Sequence, residues 1–238
     1  KFQTERAKEV QKLHHVLGHP SDTTLCELLS KNGIAGTTLS RNDVINSTKL
    51  FGKCISCELA KSTNINGPSS SNEISDIIGN TLHIDIAYIG DTNNKQTYLI
   101  TVDEASGYIT SSLIPDRNSD TLFKKLIDII NFYKANDLIV KNIRSDSEPG
   151  LAAIKLKLQE KGILLTQMVA NAHEKKAERN IRTLKEKIRS IAFSLEFKIP
   201  KCLNEHLVEH ATQCMNCLPN VHTSGIMPHP IVTGNFYQ

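Results

Sequence analysis

The chain has 238 residues, 39% of them apolar and 22% charged, with a formal net charge of +3. That length allows one large domain or two smaller ones, and the composition excludes a chain disordered throughout. No apolar run is long enough to span a bilayer as a helix, so no membrane partner is expected.

Trp is absent and aromatics make up 5%, so the core must rest on Ile, Leu and Val. The first Met is Met168 and no basic-then-apolar signal opens the chain, so a piece of a longer polyprotein is expected. Six Cys and nine His without such a signal point to a reducing compartment. There, paired Cys more often bind metal than form disulfides.

In chain order, residues 1–65 read as short helices ending in a Cys pair. One helix covers Thr4 to His15. A second starts at Ser21 or Asp22, carries Leu25, Leu28 and Leu29, and stops near Asn32-Gly33. A third starts at Ser40. The small, polar, breaker-rich stretch 66–72 is the expected linker. Residues 73–200 alternate between strand and helix. Strands are expected over Leu82–Ile89, Tyr98–Asp103 and Tyr108–Ile114, then a helix capped by Ser119. A strand over Leu138–Arg144, a helix over Leu151–Lys161 and a strand over Ile163–Met168 follow. A long helix runs from His173 to Phe197 and stops before Pro200. The order implies an α/β fold, a mixed sheet covered by helices. Residues 201–238 form one more helix, over 203–217, and a loop-like tail.

His15 and His19 stand four apart in His15-Val16-Leu17-Gly18-His19, and Cys54-Ile55-Ser56-Cys57 is a Cys-x2-Cys knuckle. Imidazole and thiolate suit one tetrahedral Zn²⁺, and a small helical module gains stability from such a staple. His14 lacks the four-residue spacing to His19. His206, His210, Cys214 and Cys217 look similar but fail on geometry. On one helix His206 and Cys217 lie roughly 16 Å apart, too far for one ion, so they read as a partly buried stripe.

Three acids form a second constellation. Asp85 lies mid-strand, its carboxylate on the face of His83 and Ala87. Asp146 follows the fourth strand in Arg144-Ser145-Asp146. Glu178 sits near the start of the long helix. At about 100° per residue, Arg182, Lys185 and Arg189 fall within about 40° of it, while Ile181, Leu184, Ile188 and Ile191 share an adjacent face. From Asn171 to Lys201 there are nine Lys or Arg against four Glu. Carboxylates that hold a hard cation beside a basic ridge are what a metal-dependent DNA enzyme needs. The ridge, Lys175, Lys176, Arg179, Arg182, Lys185 and Arg189, is the candidate DNA surface.

At this point the chain resembles the integrases of LTR retrotransposons, especially copia-type elements, and more distantly those of retroviruses. Leu13 to Ser21 is similar to the His half of the family's zinc domain, and Cys54-Ile55-Ser56-Cys57 to its Cys half. Val102-Asp103-Glu104-Ala105-Ser106-Gly107-Tyr108, Arg144-Ser145-Asp146, Gly162-Ile163, Ala177 to Lys185, and Leu218-Pro219-Asn220 with Thr223, Pro228, Ile231 and Thr233-Gly234 match in order. The resemblance implies a small helical zinc domain and an RNase H-like core of five strands. In that core Asp85, Asp146 and Glu178 bind two Mg²⁺ or Mn²⁺. It implies 3′-end processing of element DNA, then strand transfer in which the new 3′-hydroxyl attacks target DNA in line. It also implies homo-oligomers on double-stranded DNA, and action in the nucleus after a cytoplasmic virus-like-particle stage. The motif after Asp146 departs from the usual Asn-Gly, reading Ser147-Glu148-Pro149-Gly150, and Asn171 to Lys176 replaces the usual approach to the Glu. Glu148 and Glu174 therefore compete with Glu178. A relative that only binds DNA or partners is the alternative.

Overall fold

The computed structural model describes residues 2–60, 76–90, 95–146, 148–167, 175–197, 199–219 and 225–235. The expected linker, 66–72, lies outside them, as do Met168, His173 and Glu174.

Four helices come first: α1 (Phe2–Val16), α2 (Asp22–Ser30), α3 (Arg41–Phe51) and α4 (Ile55–Ala60). Ser21 caps α2, its side chain accepting from the Thr24 N–H at 3.1 Å. Ser40 and Asp43 form a capping box at α3. Asp43 also receives two parallel bonds from Arg6 of α1, each 2.8 Å, and the guanidinium holds its carboxyl well below the usual carboxylate range. Because that value is depressed in the folded state, the stability it confers is present above about pH 4 and lost on acidification below it. Asp43→Ala is therefore expected to cost about 1 kcal/mol at pH 7 and much less near pH 2, read from urea midpoints at the two values.

The sheet has the order β3-β2-β1-β4-β5, built from β1 (Thr81–Ile89), β2 (Gln96–Asp103), β3 (Ile109–Ile114), β4 (Asn142–Ser145) and β5 (Leu164–Gln167). β1–β2 and β2–β3 are antiparallel, and β1–β4 and β4–β5 parallel. The fourth strand starts four residues later than expected from Leu138. Its partner β1 begins only at Thr81, opposite Asn142. Earlier residues face no strand, and the Lys141 and Asn142 N–H groups both donate to the Asn80 carbonyl.

Both faces of the sheet are covered, which is why the strands read as nearly unbroken apolar runs. On one face Leu82, Ile84, Leu99, Ile143 and Leu165 pack against α5 (Ser119–Ala135), α6 (Pro149–Ala153) and α7 (Lys155–Gln159). Asn118, not Ser119, occupies the N-cap position of α5. α6 and α7 replace the single helix expected over 151–161. The chain breaks at Ile154, whose side chain is fully buried in this core. On the other face Ala87, Tyr98, Ile100 and Val102 pack against α8 (Lys175–Ser194) and α9 (Asn204–Asn216). The apolar stripe read from the sequence, Ile181, Leu184, Ile188 and Ile191, is the buried face of α8.

The tail is not a loose appendage. Leu218 and Met227 pack into the core of the first four helices, with Val10, Leu25, Leu28 and Val44. A short helix, α10 (Pro228–Thr233), then places Val232 in the core under α5. One segment thus enters both cores.

Candidate metal centres

α1 ends in a Schellman turn. The His19 N–H donates to the His14 carbonyl at 2.8 Å and the Gly18 N–H to the His15 carbonyl at 3.1 Å. Gly18 carries the positive φ of 66° that this turn needs, and a Cβ there would stand 3.1 Å from Cys214 of α9. The reversal folds His19 back over His14. His14 Nε2 and His19 Nδ1 lie 3.1 Å apart, Cys57 Sγ lies 3.4 Å and 3.5 Å from them, and Cys54 Sγ lies 3.4 Å from His19 Nδ1.

The four ligand atoms all lie within 4.8 Å of one another. Zinc bonds of about 2.0–2.3 Å at tetrahedral angles require ligand separations of about 3.3–3.8 Å. The contacts fall close to that range, so this donor set fits Zn²⁺. Burial and the neighbouring imidazoles pull the His14 pKa down to about 4 and that of His19 to about 3, leaving both rings neutral at pH 7, the form that ligates metal.

The cluster corrects one sequence expectation: its first ligand is His14, not His15. Four-residue spacing serves two ligands on one continuous helix, but the helix ends at Val16, before His19. Across a Schellman turn the residues brought together are five apart. His15 is exposed and lines an adjoining cleft of about 510 Å³ with Gln11, Asp22 and Phe51. The signal was present in the sequence, in Gly18 placed directly before His19. The rejected second set remains a stripe on α9: Cys214 is buried, with its Sγ 3.6 Å from His210 Nε2.

Asp85 and Asp146 come together through strand register. Ile84 pairs with Ser145 across parallel β1 and β4, so Asp85 and Asp146 each stand one residue further on. Burial raises the Asp85 pKa, and Asp146 and Glu148 raise it further. The Ile86 N–H, donating to Oδ1 at 2.7 Å, and Lys185 of α8 pull it down. Half-buried, mutually repelling carboxylates are a donor set that fits a hard divalent cation.

Glu178 is exposed in the first turn of α8. Among the described residues, the His14–His19–Cys54–Cys57 set is the one group of three or more such side chains with converging ligand atoms. The three acids do not form a second. The glutamate whose charge bears on Asp85 is instead Glu148, which is paired with Arg117. Of the three expected acids, Asp85 and Asp146 are neighbours across β1 and the end of β4, and Glu178 does not converge with them.

The basic ridge divides. Arg179 is exposed, Arg182 partly buried, and Lys185 faces Asp85. Arg189 instead donates to the carbonyl of Ala60, the last residue of α4, satisfying one of that helix's orphan carbonyls. Its neighbour Lys187 does the same for the Gly18 carbonyl at 3.0 Å. Two cations of α8 therefore dock the turn after α1 and the end of α4. The side chains of Lys175 and Lys176 lie outside the described residues.

No family model and no curated protein matches the chain. Solved structures do. A chain of the simian T-cell lymphotropic virus intasome, determined in complex with PP2A regulatory subunit B56 gamma, matches at TM-score 0.65 and 14% identity, over 95% of this chain and 73% of that one. The HTLV-2 integrase catalytic core domain in complex with magnesium, in its trimeric form, matches at TM-score 0.53 and 14% identity, over 66% of this chain and 97% of that one. The fold is accordingly that of an RNase H-like integrase core, a mixed five-stranded sheet with flanking helices.

Proposed function

We propose that the chain is an integrase of an LTR retrotransposon, of the copia type, that processes the 3′ ends of element DNA and joins them to target DNA. The observation that carries this reading is the pair Asp85, in β1, and Asp146, directly after the parallel strand β4, in an integrase-like sheet. Divalent ions, Mg²⁺ or Mn²⁺, would supply the polarisation of the phosphodiester and the activation of the attacking hydroxyl. Asp85 and Asp146 would hold them, with Glu178 in the first turn of α8 as the third acid of the expected set. Lys185 stands beside Asp85, and with Arg179 and Arg182 near the start of the same helix it would grip backbone phosphates. The zinc module with its linker (1–65 and 66–72), the core (73–200) and the tail (201–238) act as one unit. The protein works as a homo-oligomer on paired DNA ends in the nucleus, after assembly in cytoplasmic particles.

The test is joining of an oligonucleotide duplex bearing the element's terminal sequence to plasmid DNA. Products that appear with Mg²⁺ or Mn²⁺ and vanish with chelator are expected. The exposed position of Glu178 favours a second reading, a relative that binds DNA or partners without catalysis. Tight DNA binding with no joining in either metal would establish that alternative and overturn the first.

A further inference from the structure

His83 of β1 and Glu104, directly after β2, are buried polar side chains, 3% and 4% exposed, and they belong to one cluster with Arg144. Glu104 Oε1 accepts from Arg144 Nη1 at 2.8 Å and lies 3.2 Å from His83 Nε2. His83 and Arg144 are register partners across β1 and β4. Each stands two residues before an acid, His83 before Asp85 and Arg144 before Asp146. Strand alternation therefore puts all four on one face. Glu104 is itself fixed by its N–H, which donates to the Thr81 carbonyl at 2.9 Å, and by the turn that Asp103 builds through the Gly79 and Ser106 N–H groups.

Stability alone does not account for this cluster. Burying a carboxylate is costly, and an apolar trio of the same volume would be as stable or more so. What the cluster does provide is phase. Slipping a strand by one residue turns every side chain to the other face, and a carboxylate bonded to Arg144 on β4 and lying against His83 on β1 resists that slip. Two carboxylates that repel each other need such a restraint.

We propose that Glu104 is a positioning residue. Through Arg144 and His83 it locks β1 and β4 in the phase that sets Asp85 and Asp146 side by side as a divalent-cation site. This rests on the reading of those acids as metal ligands.

The test measures Mn²⁺ binding by electron paramagnetic resonance, together with Tm, in wild type, Glu104→Gln, Arg144→Lys and the apolar pair Glu104→Leu/Arg144→Met. The expected result is a Kd about tenfold weaker in Glu104→Gln and in the apolar pair, although the apolar pair melts no lower than wild type. Arg144→Lys, which keeps the ion pair, should recover most of the affinity. Unchanged Mn²⁺ affinity in the folded apolar pair would overturn the proposal, and that variant decides the matter if Glu104→Gln fails to fold. The joining assay separates the two readings. Wild type that binds Mn²⁺ through Asp85 and shows the Glu104 effect, but joins no DNA, sinks the integrase reading alone. Joining by wild type with no Glu104 effect on Mn²⁺ sinks the positioning role alone. Absence of any Mn²⁺ binding sensitive to Asp85→Asn sinks both.

Discussion

Asp85→Asn is expected to lower metal-dependent joining by on the order of 10³-fold and, in metal-free buffer at pH 7, to raise Tm by a few degrees. The two effects have one origin. Burial and Asp146 raise the Asp85 pKa, so its charged form is held at a cost in the folded state. The raised value means the native protein binds more protons than the unfolded chain above about pH 4, so stability falls as pH rises through that window. Removing the charge relieves the penalty. The gain should vanish below about pH 4, where both states are protonated. Mg²⁺ should raise Tm in wild type and leave the variant unmoved, since only wild type gains a ligand. Scanning calorimetry at pH 3.5 and 7, with and without Mg²⁺, checks all three statements. A variant that joins DNA normally, or that is less stable at pH 7 without metal, would defeat the assignment. Asp146→Asn should match it in activity. Comparing Glu178→Gln with Glu148→Gln then identifies the third acid. A large loss confined to Glu148 would mean that the residue beside Arg117, rather than the one on α8, serves the site.

The second large effect concerns zinc. His14→Ala or Cys54→Ser should abolish zinc binding and unfold the first four helices, whereas His15→Ala should still take up one zinc per chain and keep most of the helix signal. Structural zinc contributes on the order of 10 kcal/mol of binding free energy to small modules, and the core beneath it here has only six buried residues. Elemental analysis and circular dichroism read both outcomes. Zinc retained by His14→Ala and lost by His15→Ala would restore the four-residue spacing and refute the turn geometry. Acid should act in the same direction. The lowered pKa values of His14 and His19 mean that their neutral rings favour the folded state, so the metal-free module weakens as pH falls below about 6.5.

Much of this was legible before any coordinates. Strand and helix order followed from periodicity, and the apolar stripe of α8 came off a helical wheel because burial on a sheet repeats every turn. Asp85 and Asp146 stood out because a charge inside an apolar strand, or directly at its end, is costly without a reason. The misses share a cause: each depends on what the chain does beyond a regular element. Spacing pointed to His15 because it assumed a helix that continues to His19. The helical wheel puts Arg189 on the basic ridge and gives no sign of its bond to the Ala60 carbonyl, because the sequence does not say that α4 ends beside it. Ile154 breaks a helix for the sake of packing, which overrides local propensity. The Glu104 cluster did leave a trace, a polar residue two positions before each aspartate. That trace becomes meaningful only once β1 and β4 are known to be parallel and in register.

The tail's double anchorage has a consequence for biosynthesis. A ribosome releases the first four helices long before Leu218 and Met227, the residues that seal their interior, have been translated. Until then the nascent module has a metal-ligand cluster but an unfinished hydrophobic lining, exposed to chaperones and proteases. Leu218 and Met227 thus complete the lining of the first four helices only after the intervening core has been made, while Lys187 and Arg189 of α8 tie that module to the sheet independently of them.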